Sequence, residues 1–106
     1  MRITGGKLCG RRIQSPGKNV RPTEGRIREA LFSILGDKVQ NARFLDLFAG
    51  SGAVGLEAWS RGAEFVCWVE KNHSVLQVLK DNVGKLCNSG VKVVCDDAVG
   101  FLKRRS

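Results

Sequence analysis

Three acidic positions stand where a nucleoside-bearing cofactor can be held. The first, Asp46, opens the segment Asp46-Leu47-Phe48-Ala49-Gly50-Ser51-Gly52-Ala53-Val54-Gly55. Its glycines let the backbone turn tightly and let a ligand approach closely. Gly50, Gly52 and Gly55 also fit the dinucleotide pattern G-x-G-x-x-G, although that match alone has little specificity. The second acid, Glu70, lies 20 residues after Gly50. A carboxylate there can accept hydrogen bonds from both ribose hydroxyls of an adenosine, in NAD or in S-adenosylmethionine (SAM). The third place is Asp96-Asp97-Ala98, where an acid can accept a bond from an adenine amino group, cap a helix, or do both. Asp46 helps to separate the cofactors. A pyrophosphate near the loop would be repelled by an extra acid, whereas the sulfonium and ammonium of SAM would be favoured by it. A phosphate-binding P-loop is excluded, because no Lys-Ser/Thr follows the glycines.

Strands and helices must present these groups together. Residues 43–48 form a short apolar run that reads as a buried strand ending in the glycine turn. A helix over 53–61, closed by Gly62, leads to a second buried strand over 64–69. Asn72 or Ser74 caps a helix through Leu86, with Val75, Leu79, Val83 and Leu86 on one stripe. After Gly90, a third strand covers 91–95 and a helix begins over 98–104. This alternation predicts an α/β fold, the N-terminal part of a doubly wound, Rossmann-like parallel sheet with right-handed crossovers. Ligands bind such sheets beyond the carboxyl ends of the strands, which is where Gly50, Glu70 and Asp97 fall.

Ahead of this body lie a predicted hairpin and a helix. Residues 1–4 and 10–14 flank Gly5-Gly6 and read as a hairpin within a basic arm of residues 1–22, leaving 23–106 as a partial cofactor-binding domain. Pro22-Thr23 opens the helix, Ile27, Ala30, Leu31, Ile34 and Leu35 give it one apolar face, and Gly36 ends it.

Charge and composition narrow the function classes. The net charge is +8 over 106 residues, yet residues 1–28 hold eight basic groups against Glu24 alone, while residues 29–106 hold ten against nine acids. A basic arm on a near-neutral body suggests a phosphate-backbone partner, with a solvated tail as the plainer alternative. No apolar run has the length of a membrane helix, and Met1 is followed by polar residues instead of a secretory h-region. Cys9, Cys67, Cys87 and Cys95 form no C-x-x-C pair and read as reduced structural thiols of a cytoplasmic protein. His73, the single histidine, has no ligand-spaced partner, which argues against a metal site. Trp59 and Trp68 read as packing residues, Trp68 with the option of bordering an adenine pocket.

Phe44-Leu45-Asp46-Leu47-Phe48-Ala49-Gly50-Ser51-Gly52 resembles the first motif of class I SAM-dependent methyltransferases. Arg2-Ile3-Thr4-Gly5-Gly6 with Gly10-Arg11-Arg12, then Arg21-Pro22-Thr23, then Arg28-Glu29-Ala30-Leu31-Phe32 resemble the bacterial RsmD-type 16S rRNA (guanine-N2)-methyltransferases. The resemblance runs over nearly the whole chain, and its Arg-Pro-Thr and Arg-Glu-Ala-Leu-Phe blocks are more specific than the glycine loop. It implies SAM as cofactor, with Asp46, Phe48, Ala49, Gly50, Ser51, Gly52, Glu70, Lys71, Asp97, Ala98 and Thr23 around it. It implies ribosomal RNA, or a small-subunit precursor, as partner, held by Lys7, Arg11, Arg12, Arg21 and Arg28.

The family's Asn/Asp-Pro-Pro-Phe/Tyr motif follows a fourth strand. This sequence has only Pro16 and Pro22, has no tyrosine, and ends at Ser106, which reads as a truncated chain and not as a divergent active site. No catalytic residue is therefore assigned, and residues 1–106 alone are expected to be inactive. Without a fourth strand, the first would be an exposed apolar edge. Two other readings compete: a dinucleotide-binding oxidoreductase fragment, and a non-catalytic RNA-binding module using the basic arm.

Overall fold

A computed structural model describes residues 1–15, 17, 23–47 and 49–105, without the side chains of Thr23 and Arg105. Eight elements follow one another. They are α1 (Thr23–Leu35), a 3-10 turn (Gly36–Val39), β1 (Arg43–Asp46), α2 (Ala53–Ser60), β2 (Phe65–Glu70), α3 (His73–Leu86), β3 (Val91–Cys95) and α4 (Ala98–Arg105). The three strands are parallel in the order β1-β2-β3, with Leu45 beside Cys67 and Trp68 beside Val93. The expected α/β alternation is present, and the crossover helices place every strand's carboxyl end on one side.

β2 is central, and Val66, Cys67, Trp68 and Val69 are all buried. Its even residues face α2 and α3 in the main core. Cys67 and Val69 face Phe101 of α4 in a smaller one. α2 is apolar nearly all round and is buried except at Val54, as a helix between a sheet and other elements must be. Among the described strands β1 has one neighbour, and its Leu45 is 43% exposed, in line with the expected open edge.

The hairpin forms around an Arg2–Arg12 antiparallel bridge, with Ile3 N–H donating to Arg11 O at 3.0 Å and Ile13 N–H to Met1 O at 2.8 Å. Ile3, Leu8 and Ile13 enter the main core. Their alternate neighbours Arg2, Lys7 and Arg12 stay exposed. The segment is thus amphipathic in the strand sense, basic outside and apolar inside.

α1 departs from its apolar pattern. Ile27 and Ile34 are 67% and 82% exposed, while Phe32 and Arg28 are buried. Phe32 stacks near Phe44 with ring centroids 6.0 Å apart, and Arg28 meets a buried acid on α2. These two contacts turn the helix by about one residue, roughly 100°, from its most apolar orientation. Gly36 ends α1 as expected, with φ of 53°, but the chain continues into the 3-10 turn that buries Val39.

Candidate functional site

The glycine loop joins β1 to α2 at the carboxyl end of the sheet, and its three glycines do different things. Gly52 caps α2 in the left-handed region, with φ of 88°, and its carbonyl accepts from Leu56 N–H at 2.9 Å and from Trp68 Nε1 at 3.1 Å. A Cβ on Gly55 would lie 2.3 Å from Trp68 Nε1, so this glycine lets α2 pack on β2. Trp68 is a packing residue, 0% exposed. Gly50 also has positive φ, 52°, but a Cβ there would have no described atom within 4 Å. Its freedom serves the turn and leaves room on the ligand side.

Glu70 fastens the loop to the end of β2. Its Oε1 accepts from Gly50 N–H and its Oε2 from Asn72 N–H, both at 3.0 Å. Asn72 in turn caps α3, accepting from Ser74 and Val75 N–H at 3.1 Å, so of the two expected caps the structure uses Asn72. At the end of β3, Asp97 caps α4 by accepting from Gly100 N–H at 2.6 Å. Asp96 is paired with Arg104, whose hydrogen bond holds the Asp96 carboxyl below its ordinary range.

A cavity of about 440 Å³ opens between these strand ends, lined by Leu47, Glu70, Lys71, Asp96, Asp97, Ala98 and Val99. Four expected cofactor residues, Glu70, Lys71, Asp97 and Ala98, therefore share one concavity. A second, of about 330 Å³, lies between α1 and the glycine loop and is lined by Ile27, Leu31, Val54 and Ala49-Gly50-Ser51 among others. The Gly50–Glu70 hydrogen bond stands between the two. Asp46 is the last residue of β1, partly buried at the same end of the sheet. Arg21 and Phe48, and the side chain of Thr23, fall outside the described residues.

Lys7, Arg11 and Arg12 are exposed on the hairpin. Arg28 corrects the expectation of an RNA-facing cation. It is 4% exposed, its Nε donates to Glu57 Oε1 at 2.9 Å, and its Nη2 donates to Arg2 O. A guanidinium so buried and neutralised has little left for a phosphate.

Two polar residues that the sequence reading missed organise this region. Glu57, 0% exposed, accepts from Thr4 N–H at 3.0 Å, Gly5 N–H at 2.9 Å, Arg28 Nε at 2.9 Å and Arg61 Nε at 2.8 Å. Burial alone would raise its pKa, but the bonds from Thr4, Arg61 and Arg28 outweigh burial and hold it below the ordinary 4.5. Asn82, 5% exposed, accepts from Gln14 N–H at 3.0 Å and donates at 2.9 Å to both Gln14 O and Ser51 O. It ties the hairpin directly to the glycine loop. Their signal was a polar residue where the pattern calls for an apolar one: Glu57 inside the apolar α2 run, and Asn82 on the side of α3 shared by Leu79, Val83 and Leu86.

Among the described residues no group of three or more His, Cys, Asp or Glu can hold a metal ion, and no helix is long and apolar enough to cross a membrane. None of the four cysteines is in a disulfide, and burial pushes the Cys87 thiol up to about 11.

A glycine loop, an acid beyond each following strand and a cavity between them define a Rossmann-like α/β protein of the methyltransferase kind. The chain belongs to the family described as conserved hypothetical protein 95, whose model matches residues 1–106 and which includes the RsmD-type methyltransferases. It is 41% identical to ribosomal RNA small subunit methyltransferase D of Escherichia coli K12 over 106 residues, which is 99% of this chain and 54% of that protein. The chain thus spans about half the length of the curated relatives it matches. Escherichia coli yhhF, described as a candidate methyltransferase, superposes with a TM-score of 0.87 at 41% identity, over 96% of this chain and 56% of its own. A hypothetical protein of Thermus thermophilus, TTHA0928, gives 0.84 at 40% identity, over 98% and 60%.

Proposed function

We propose that this chain is the cofactor-binding half of a SAM-dependent RNA methyltransferase acting on an exocyclic amine of a base in ribosomal RNA, guanine N2 of the small subunit by family resemblance. The observation that carries the cofactor is Glu70: it grips the Gly50 amide while lining a cavity with Asp97 and Ala98. In this reading Glu70 accepts from the ribose hydroxyls, and Asp97, whose cap uses Oδ1, offers its other oxygen to the adenine amine. Asp46 and the backbone of Ala49-Gly50-Ser51-Gly52 face the methionine end. Thr23 and Phe48 join them by family resemblance.

The same geometry favours SAM over a dinucleotide. A diphosphate at this loop would seek free backbone N–H groups, and the Gly50 N–H is already given to a carboxylate. Asp46, assigned to the methionine end, suits the ammonium and sulfonium of SAM instead. When bound, SAM supplies a methyl group on a positively charged sulfur. This chain's residues bind and orient it. Displacement of that kind needs mainly positioning and charge alignment, and no general base is required of this half. Lys7, Arg11 and Arg12 supply cations for the RNA backbone, and Arg21 is assigned to the same surface by resemblance. The names of the relatives support the RNA substrate.

Calorimetric titration of the chain with S-adenosylhomocysteine tests the reading, with NAD run beside it. Binding of S-adenosylhomocysteine alone, weakened at least tenfold in Glu70→Ala, is the expected result. A folded chain that binds NAD instead, or that ignores Glu70→Ala, overturns it.

A further inference from the structure

The hairpin does not carry its cations alone. On the side of the sheet that holds α3, the turn of the hairpin and the last turn of α3 enclose a groove of about 440 Å³, with Lys7 and Lys85 on its walls and Trp59 in its floor. A second groove, of about 280 Å³, shares Lys85 and has Arg12 on its other wall. Lys7, Lys85 and Arg12 are all exposed, and Asp81, which accepts from Gln77, is the one acid lining either groove among the described residues. The basic face thus runs from the hairpin onto α3.

Two details say what the groove accepts. Trp59 offers no free ring for a base: Lys7 Nζ sits 3.9 Å from its ring centroid, and Trp59 Nε1 donates to Ser89 O at 2.9 Å. Base stacking on Trp59 is therefore closed, and what the groove walls offer is cations, which hold a nucleic-acid backbone and carry no sequence information. Gly84 lines the same groove within α3, and a Cβ there would meet nothing within 4 Å. A glycine inside a solvent-facing helix lowers stability, and no packing among the described residues requires it. Its missing side chain keeps the groove open to something outside the chain.

We propose that the groove between the hairpin turn and the C-terminal end of α3 is a sequence-independent phosphate track for RNA, with Lys85 and Gly84 as its α3 wall. The proposal rests on the RNA reading given above. It extends that reading from the hairpin to α3.

The test measures fluorescence anisotropy of a labelled RNA hairpin of unrelated sequence across a salt series, for the wild-type chain, Lys85→Glu, Gly84→Gln and Lys92→Glu. Lys92 is exposed and lies beside Cys67, on the opposite face of the sheet, so it matches the charge change away from the groove. Lys85→Glu is expected to weaken RNA binding and to lower the slope of log affinity against log salt by about one. Gly84→Gln is expected to raise the unfolding midpoint while weakening RNA, two opposite signs that misfolding cannot produce together. S-adenosylhomocysteine affinity should be unchanged in both. Equal losses in Lys85→Glu and Lys92→Glu would reduce the effect to net charge and overturn the track, as would unimpaired binding by Lys85→Glu. Equally tight, Lys85-dependent binding of polyglutamate would overturn it in favour of an acidic protein partner. Failure of the wild-type chain to bind RNA would sink the RNA substrate as well, whereas loss of the α3 effect alone would leave that reading standing.

Discussion

The two ends of α2 do opposite work. At its C-terminal end, Glu57 and Ser60 hold the hairpin turn with every contact made inside the chain. Leu8 N–H donates to Ser60 Oγ, Lys7 N–H to Ser60 O, and Ser60 Oγ to Gly5 O, alongside the four bonds to Glu57. At its N-terminal end, the glycine loop is braced from behind by Trp68, Val69, Glu70 and Asn82, and it opens on the cavity beside α1, with the cavity at the strand ends adjoining it through Glu70. The same helix therefore has a closed end that confers stability and an open end to which the proposed binding is assigned. Substitutions at the closed end should move stability, and those at the open end should move ligand affinity.

The sharpest test of that contrast is Glu57→Ala. It leaves Arg28 buried without its carboxylate and frees two hairpin amides, so a loss of about 3–5 kcal/mol is expected in urea unfolding. A loss below about 1 kcal/mol would mean that the network contributes little and the closed end is not what holds the hairpin. Next in size is Gly55→Ala, whose Cβ would press on rigid Trp68. Overpacking of this kind costs about 1–3 kcal/mol and should lower S-adenosylhomocysteine affinity only through stability. Gly50→Ala meets none of the described atoms and suffers from its positive φ, roughly 1–2 kcal/mol, but it should weaken the ligand directly. If the two alanine variants changed affinity equally in fully folded protein, the division of roles among the glycines would fail.

Acid gives the smallest effect. The folded pKa of Glu57 is depressed, so its contribution is complete above the ordinary 4.5 and is lost as pH falls below that value toward the folded one. Unfolding midpoints measured from about pH 6 to about pH 3 should fall in the wild-type chain and fall less steeply in Glu57→Gln. A parallel decline in both would assign acid sensitivity to other carboxylates.

Much of this architecture was legible in the residues themselves. Alternating apolar runs with glycine breaks determined the parallel α/β order, because each pattern has a single period and each break a conformational cause. Val91–Cys95 and the Asn72 cap appear where they were expected, and the acids after each strand follow from where such sheets bind ligands. Pairwise geometry was not legible. Periodicity turned the Ile27–Leu31–Ile34 face of α1 inward, but one Arg28–Glu57 ion pair and one Phe32–Phe44 contact decided otherwise, and both join residues far apart in the chain. For the same reason the family resemblance assigned Arg28 to RNA, and the pattern of residue types passed over Glu57 and Asn82. A side chain's type is local, but whether its charge meets water or a buried partner depends on which distant backbone the fold brings beside it.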